Sequence, residues 1–368
     1  MDHARLNFDT FVGERIAEAR KVGGMTQEEL ASKLGFKDRQ ILSNIEKGIR
    51  QVSSEELMLL TKLLGQSLDY FTDPFILTQE KKCFAWRVKK PYDKEPIPYA
   101  EKGWNMIAAY LRFSEMLGRE PNPVLPQLVV KKDSNYDYVR DLAGLLVKTW
   151  KMGETPATEL VSVVRDTLGI ELFFVDAPDE VSGASFRNDR FCAILINANH
   201  SLGRRNFSLA HELFHILSWT TLHPDYVSPE EADEVKTKSE KLANTFAAAL
   251  LMPPSIVADL WKNKPKEEPL RSWLEETAPR LQVSPDALFY QLLSMRRVKK
   301  QDKPDLMLSY KNEEAGLRFF SGNFVRMINE VLQQGRVSVR KVLKLLDLTY
   351  EGLDELFASY HLPSAYNL

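Results

Sequence analysis

The chain has 368 residues, 44% of them hydrophobic and 27% charged, with 17 Gly and 19 Pro; this globular composition excludes fibrous and low-complexity classes and is long enough for two or three domains. Lys and Arg number 49 against 51 Asp and Glu, so no global basicity advertises nucleic acid and any contact with DNA must be local. Two cysteines, Cys83 and Cys192, exclude a disulfide framework or a Cys-rich zinc module, and the lack of a long uncharged apolar run predicts a cytoplasmic chain with no membrane span.

From Thr10 to about Phe71 the sequence reads as short amphipathic helices with polar punctuation. Met25-Thr26-Gln27-Glu28-Glu29-Leu30 opens a helix with a capping box, Thr26 as N-cap and Glu29 reaching back to its amide, and Gly35 closes it. In the next helix, Asp38 to Gly48, the pattern turns Ile41, Leu42 and Ile45 inward and Arg39, Gln40, Ser43 and Asn44 outward. These are side chains suited to base edges, Arg for guanine and Gln or Asn for adenine, and Gln27 joins them as a candidate. The block TQEELASKLGFKDRQILSNIEKGIR resembles the Xre/Cro-type helix-turn-helix family, which implies a DNA-binding domain over residues 1–75. That domain carries ten Lys and Arg against twelve Asp and Glu. Phosphate contacts from a homodimer, or from Lys81, Lys82, Arg87, Lys89 and Lys90 just beyond, would have to make up the missing basic field; otherwise the domain serves protein contacts.

CFAWRVKKPYDKEPIPYAEKG, with three prolines, reads as a connector within a linking region of residues 76–135. Helical periodicity follows over Tyr136–Trp150 and Pro156–Leu168, then strands at 170–175, 182–186 and 191–196, the last two joined by Arg187-Asn188-Asp189-Arg190. Helices are predicted at Asn206–Trp219 and Ser239–Leu251, the second stopped by Met252-Pro253-Pro254. Beyond Pro265 the chain is helical to its end, with a basic cluster at Arg296-Arg297-Val298-Lys299-Lys300. The expected fold is mainly α, α+β in the centre: a helix-turn-helix bundle, a central core over 136–264 with a small sheet, and a helical C-terminal region over 265–368 that could sense or dock a partner.

His211-Glu212-Leu213-Phe214-His215 is an H-E-x-x-H motif inside the predicted helix FSLAHELFHILSW. Residues four apart on a helix lie one above the other, so two imidazoles can converge on one ion, and Glu212, one step round, can act as general base without being a ligand. With six histidines in the chain, chance would produce this motif in about one per cent of such sequences. The alternative is two buried core histidines, which unpaired would be costly. A third ligand must come from downstream. The extended motif H-E-x-x-H-x-x-G-x-x-H fails, because Ser218 and Thr221 stand where it needs Gly and His, which removes the support for His223. Glu240, on a second helix, is the favoured candidate, with Glu230, Glu231, Asp233 and Glu234 as competitors; Asn244, one turn after Glu240, is placed to hydrogen-bond a ligand.

RRNFSLAHELFHILSW followed by EKLANTFAAALLMPPS resembles the ImmA/IrrE family of metallo-endopeptidases, and the likeness extends to SGASF and FCAILIN upstream. The resemblance implies a gluzincin-like domain with Zn2+ held by His211, His215 and Glu240 and with Glu212 as catalytic base. It also implies a stress- or phage-related regulator that cleaves a repressor or other partner protein at one site. The rival reading is a non-catalytic DNA-binding repressor that keeps a degenerate protease fold as an interaction module; the intact Glu212 speaks against it. In H-E-x-x-H peptidases an edge strand beside the active helix pairs with extended substrate, a role expected here for residues 191–196. Cys192, on that strand, is a candidate regulatory thiol at the open position of the ion, weighed against a small buried core Cys.

Overall fold

The computed structural model describes residues 8–76, 84–88, 98–222, 238–306 and 319–366, with only the backbone at 84–88. The chain forms two compact units: one comprises residues 1–78, 104–120 and 323–368, the other 79–103 and 121–322.

The first unit begins with five helices: α1 (Phe8–Val22), α2 (Gln27–Lys33), α3 (Arg39–Glu46), α4 (Ser54–Leu64) and α5 (Leu68–Thr72). Local chemistry sets their starts. Thr26 and Ser53 each complete a capping box with Glu29 and Glu56, and Asp38 and Ser67 cap α3 and α5. Between α2 and α3 the chain passes Gly35 at φ +73°, a left-handed conformation that glycine adopts without strain. Ile16, Leu30, Leu42, Ile45, Leu60 and Phe71 form the buried core of these helices. Gly13 lets α1 and α3 touch: a Cβ there would lie 2.2 Å from the Ile45 carbonyl. Beside them pack the end of α6 (Pro98–Met116) and three helices from the far end of the chain, α14 (Gly322–Gln333), α15 (Val339–Leu346) and α16 (Tyr350–Ser359). Phe113 of α6 meets Phe75 edge-on and stacks with Phe324 of α14; Arg112 donates to the Pro74 carbonyl at 2.7 Å, and Lys341 of α15 pairs with Asp73.

The second unit is built on a four-stranded sheet of order β1-β3-β4-β2, from β1 (Phe84–Val88), β2 (Glu171–Val175), β3 (Val181–Arg187) and β4 (Cys192–Asn197). β3 and β4 form an antiparallel hairpin, β2 runs parallel to β4, and β1 pairs antiparallel with β3. The hairpin turn is held by Asn188, whose side-chain oxygen accepts from the amides of Arg190 and Phe191 at 3.0 and 2.8 Å. Around the sheet lie α7 (Tyr136–Thr149), α8 (Pro156–Ser162, continuing as a π turn to Thr167), α9 (Leu202–Ser218), α10 (Lys238–Leu251), α11 (Pro254–Lys262), α12 (Leu270–Arg280) and α13 (Pro285–Ser294). One continuous core joins sheet and helices.

Three expectations change. β4 is a central strand, buried along its whole length between β3 and β2, so the substrate-pairing edge read at 191–196 is not available there. The continuous apolar run CAILIN suits a strand covered on both faces, whereas pairing order is set by distant partners. The connector read over 81–103 contains β1 and the start of α6. The stretch 265–368 is divided, with α12 and α13 in the second unit and α14–α16 in the first. Cys83, Lys81, Lys82, Lys89, Lys90, His223, Glu230, Glu231, Asp233 and Glu234 lie outside the described residues.

Candidate metal centre

α9 is almost wholly buried, an amphipathic helix whose polar residues are enclosed rather than solvated. Its close seating depends on Gly203, where a Cβ would lie 2.4 Å from the Val283 backbone. The helix rests on β3 and β4 with one side and on α10 with another. Phe214 and Phe246, ring centroids 5.4 Å apart and both fully buried, lock α9 against α10.

The helical spacing brings His211 (0% exposed) and His215 (4%) to one side of α9, with their Nε2 atoms 3.1 Å apart. Glu240, near the start of α10, meets both: Oε2 lies 3.1 Å from His211 Nε2 and Oε1 3.1 Å from His215 Nε2. Among the described residues these three side chains are the group whose ligand atoms converge, all within 4.8 Å. Four donors around a tetrahedral ion with bonds of about 2.0–2.1 Å are separated by roughly 3.3–3.4 Å, close to these spacings, so the residues fit such an ion. Asn244, one turn further along α10, has Oδ1 3.0 Å from His211 Nδ1. Acceptance of the Nδ1 hydrogen there leaves the Nε2 lone pair aimed at the cluster. Burial pushes the Glu240 carboxyl up, but the facing His211 and His215 outweigh it and hold the group well below the usual carboxylate range. The Glu240 side chain is 34% exposed, which leaves the cluster reachable on one side.

Glu212, turned about 100° round the helix from His211, faces the sheet and is 1% exposed. Ser185 of β3 donates its hydroxyl to Glu212 Oε2 at 2.5 Å. Gly183, two residues earlier on the same face, leaves the room this needs: a Cβ there would lie 3.4 Å from Glu212 Cγ and 2.7 Å from the Leu195 carbonyl. Sequence reasoning passed over both residues, though SGASF, a small-residue strand ahead of the motif, was the available signal. A cavity of about 560 Å³ lies one helical turn away, lined among others by Ser182, Arg204, Phe207, Ser208, Asn244 and Tyr290; it meets the centre through Asn244 and not through His211, Glu212, His215 or Glu240.

Cys192 does not join the ligand cluster. Opposite residues of the hairpin share a face, so Gly183, Ser185 and Arg187 align with Ile196, Ile194 and Cys192 beneath α9. Along that face Ser185 touches Glu212 and Arg187 bonds the Ile216 carbonyl, which sets Cys192 under the later part of the helix, in the apolar core. The residue is 1% exposed, and burial pushes its thiol up to about 12, the opposite of what a reactive thiolate needs.

In the first unit, α3 leaves Arg39 and Gln40 exposed and Asn44 half-buried, with Gln40 donating to Asn44 Oδ1 at 3.0 Å. Ser43 does not face outward: it is 8% exposed, because α3 is packed on both α1 and α2 and its inner face is wider than a two-residue stripe. Gln27 is engaged inside, donating to Glu46 Oε2 at 2.7 Å, while Arg20 pairs with the same carboxylate at 2.6 Å.

Comparison with known proteins agrees with this layout. Residues 165–293 match the M78 peptidase family model, described as an IrrE N-terminal-like domain, and residues 16–71 match the helix-turn-helix model. The radiation response metalloprotease IrrE of Deinococcus radiodurans is 30% identical over 156 residues, 42% of this chain and 44% of that protein. Its namesake from Deinococcus deserti is 36% identical over 105 residues, 27% of this chain and 35% of that one. The chain thus spans less than half the length of either relative. Among solved structures, the apo form of the competence regulator ComR from Streptococcus vestibularis covers 97% of this chain and aligns over 100% of its own, at 11% identity and a TM-score of 0.17; that likeness carries no weight here. The chain therefore carries, in order, a segment similar to helix-turn-helix domains and a segment similar to the IrrE-like domain of a metallopeptidase family.

Proposed function

We propose that the chain is a zinc-dependent endopeptidase and transcriptional regulator that works in the cytoplasm, binds DNA through its first 75 residues, and cleaves a repressor or other partner protein under stress. The observation that carries the reading is the convergence of His211, His215 and Glu240 from two helices, with Asn244 orienting the first histidine.

In this reading those three side chains hold Zn2+, and the bound ion supplies Lewis-acid polarisation of a peptide carbonyl. Glu212 takes a proton from the attacking water and returns it to the departing amine, so it must stay ionised and aimed; the Ser185 hydroxyl holds one of its oxygens. Helix α3 presents Arg39, Gln40 and Asn44 for DNA, and a homodimer would add the phosphate contacts that one acidic copy lacks.

The test is metal analysis of the purified protein, followed by incubation of wild type and Glu212→Gln with candidate repressors. Wild type is expected to hold one zinc and yield two fragments from the right repressor, and Glu212→Gln to hold zinc and yield none. A Gln variant that cleaves as fast as wild type would sink the catalytic assignment.

A further inference from the structure

The cavity of about 560 Å³ lies between α9, α10 and α13, and each helix turns one stripe toward it: Arg204 and Ser208 from α9, Asn244 and Ala248 from α10, Ala287 and Tyr290 from α13. Its volume falls in the range of small-molecule sites, about 300–1,000 Å³. Ser208 is 1% exposed, and its hydroxyl has no hydrogen-bond partner among the described residues. A buried hydroxyl is costly unless bonded, so a molecule in the cavity must complete it. Two guanidinium groups border the cavity, Arg204 and Arg140 of α7, against one carboxylate, Asp286, which Lys303 holds at 2.7 Å. The arginines pair with Asp179 and Asp137, whose side chains are 79% and 86% exposed; ion pairs so open to water are weak, which leaves both groups available to an anion. Ser284, the N-cap of α13, also lines the cavity and sets the positive end of that helix against it.

We infer that this cavity is a second ligand site, separate from the metal cluster, for a small organic anion, and that Asn244 couples the two. The acidic head of the ligand meets Arg140, Arg204 and the Ser208 hydroxyl, and its apolar body lies against Phe207, Ala248 and the Tyr290 ring. None of His211, Glu212, His215 and Glu240 lines the cavity, whereas Asn244 does, and the same side chain has Oδ1 3.0 Å from His211 Nδ1. An occupant that shifts the Asn244 carboxamide changes the bond that orients His211. By linkage, an ion held by His211 then changes the affinity of the occupant by the same factor. The coupling rests on the metallopeptidase reading; the binding of the anion does not.

Dye titration of the full-length protein tests this. The probe is anilinonaphthalene sulfonate, an apolar body with one anionic head, and phenylnaphthylamine, a similar body without the charge, is its control. Expected is one sulfonate dye per chain, bound about tenfold or more tighter than the neutral dye, with Ser208→Ala and Arg204→Gln each weakening it by about tenfold, the worth of a hydrogen bond to a charged group. Ala248→Leu, which fills the cavity, should weaken both dyes, and thermal melting confirms that each variant is folded. If Arg204→Gln does not fold, Ser208→Ala decides, since it removes a single hydroxyl. Several dyes per chain, equal binding of the two dyes, or wild-type affinity in Ser208→Ala would overturn the site. Zinc should shift the dissociation constant of the sulfonate dye in wild type and leave it unshifted in Asn244→Ala; equal constants in zinc and in chelator would overturn the coupling. A peptide hydroxamate anchored on the zinc should bind together with the dye, and full competition would make the cavity part of the substrate cleft and overturn its separateness. A protein that takes up the dye as expected but no zinc would leave the anion site in place and remove the peptidase reading.

Discussion

Replacing Asn244 with Ala isolates the smallest part of the centre, because Asn244 bonds one proposed ligand, His211, without being a ligand itself. The His211 ring is fully buried and its Nδ1 hydrogen has Asn244 Oδ1 at 3.0 Å. Without that acceptor the ring loses the bond that fixes its tautomer, and a buried donor is left to find another partner at a cost of about 1–3 kcal/mol. Loss of such a supporting bond typically weakens metal binding about 10- to 100-fold, equivalent to about 1.4–2.7 kcal/mol. Competition against a chromophoric zinc chelator measures the change, and thermal unfolding of the metal-free protein tells it apart from general damage. Asn244→Asp, which keeps an acceptor at the same reach, should recover most of the affinity. If Asn244→Ala binds zinc within threefold of wild type, His211 does not depend on this bond and the reading of α10 as the supporting helix is wrong.

Zinc at 100 times its dissociation constant should stabilise the second unit by about 2.7 kcal/mol, raising its Tm by about 5–10 °C over chelator-treated protein; no shift in calorimetry would contradict the centre. Glu171, 7% exposed, has its carboxyl pushed by burial up to about 7, with Ser321 and Arg165 pulling the other way. Its neutral form is favoured in the folded state, so the penalty is absent below about pH 4.5 and grows as pH rises to about 7, reaching roughly 3 kcal/mol. Glu171→Gln should therefore be more stable than wild type at pH 8 and show little difference at pH 4.5, and denaturant titrations at the two values check it. Cys192→Ser, which puts a hydroxyl into the core, should lower stability by about 1–3 kcal/mol without raising unstimulated cleavage; a gain in activity would restore the thiol switch.

Much of the centre was legible because its information is local. Four-residue spacing places His211 and His215 on one side of any helix, and the capping box at Thr26 and Glu29 marks the start of α2 whatever surrounds it. The position of β4 within the sheet was not, since a buried apolar strand reads the same at centre or edge until its neighbours are known. β1 escaped for a similar reason: FAWRV between prolines and lysines carries too little pattern to announce a strand, and only its pairing with β3 makes it one. Ser43 reads as exposed from the pattern, because a short helix burying a single face would leave it outside, whereas α3 is gripped from two directions by α1 and α2. The supporting roles of Ser185 and Gly183 depend on which strand lies under α9, a fact of tertiary packing alone.

The path of the chain between its two units has a consequence for biosynthesis. Asp73 pairs with Lys341 across 268 residues, and Ser114 meets Met327 across 213. A ribosome must deliver the entire metallopeptidase-like unit before the N-terminal helices receive these partners, so the first unit starts early and finishes last. An expression fragment ending near residue 78 would lack α6, α14 and α15 and leave Phe75 without Phe113 of α6, its edge-on partner.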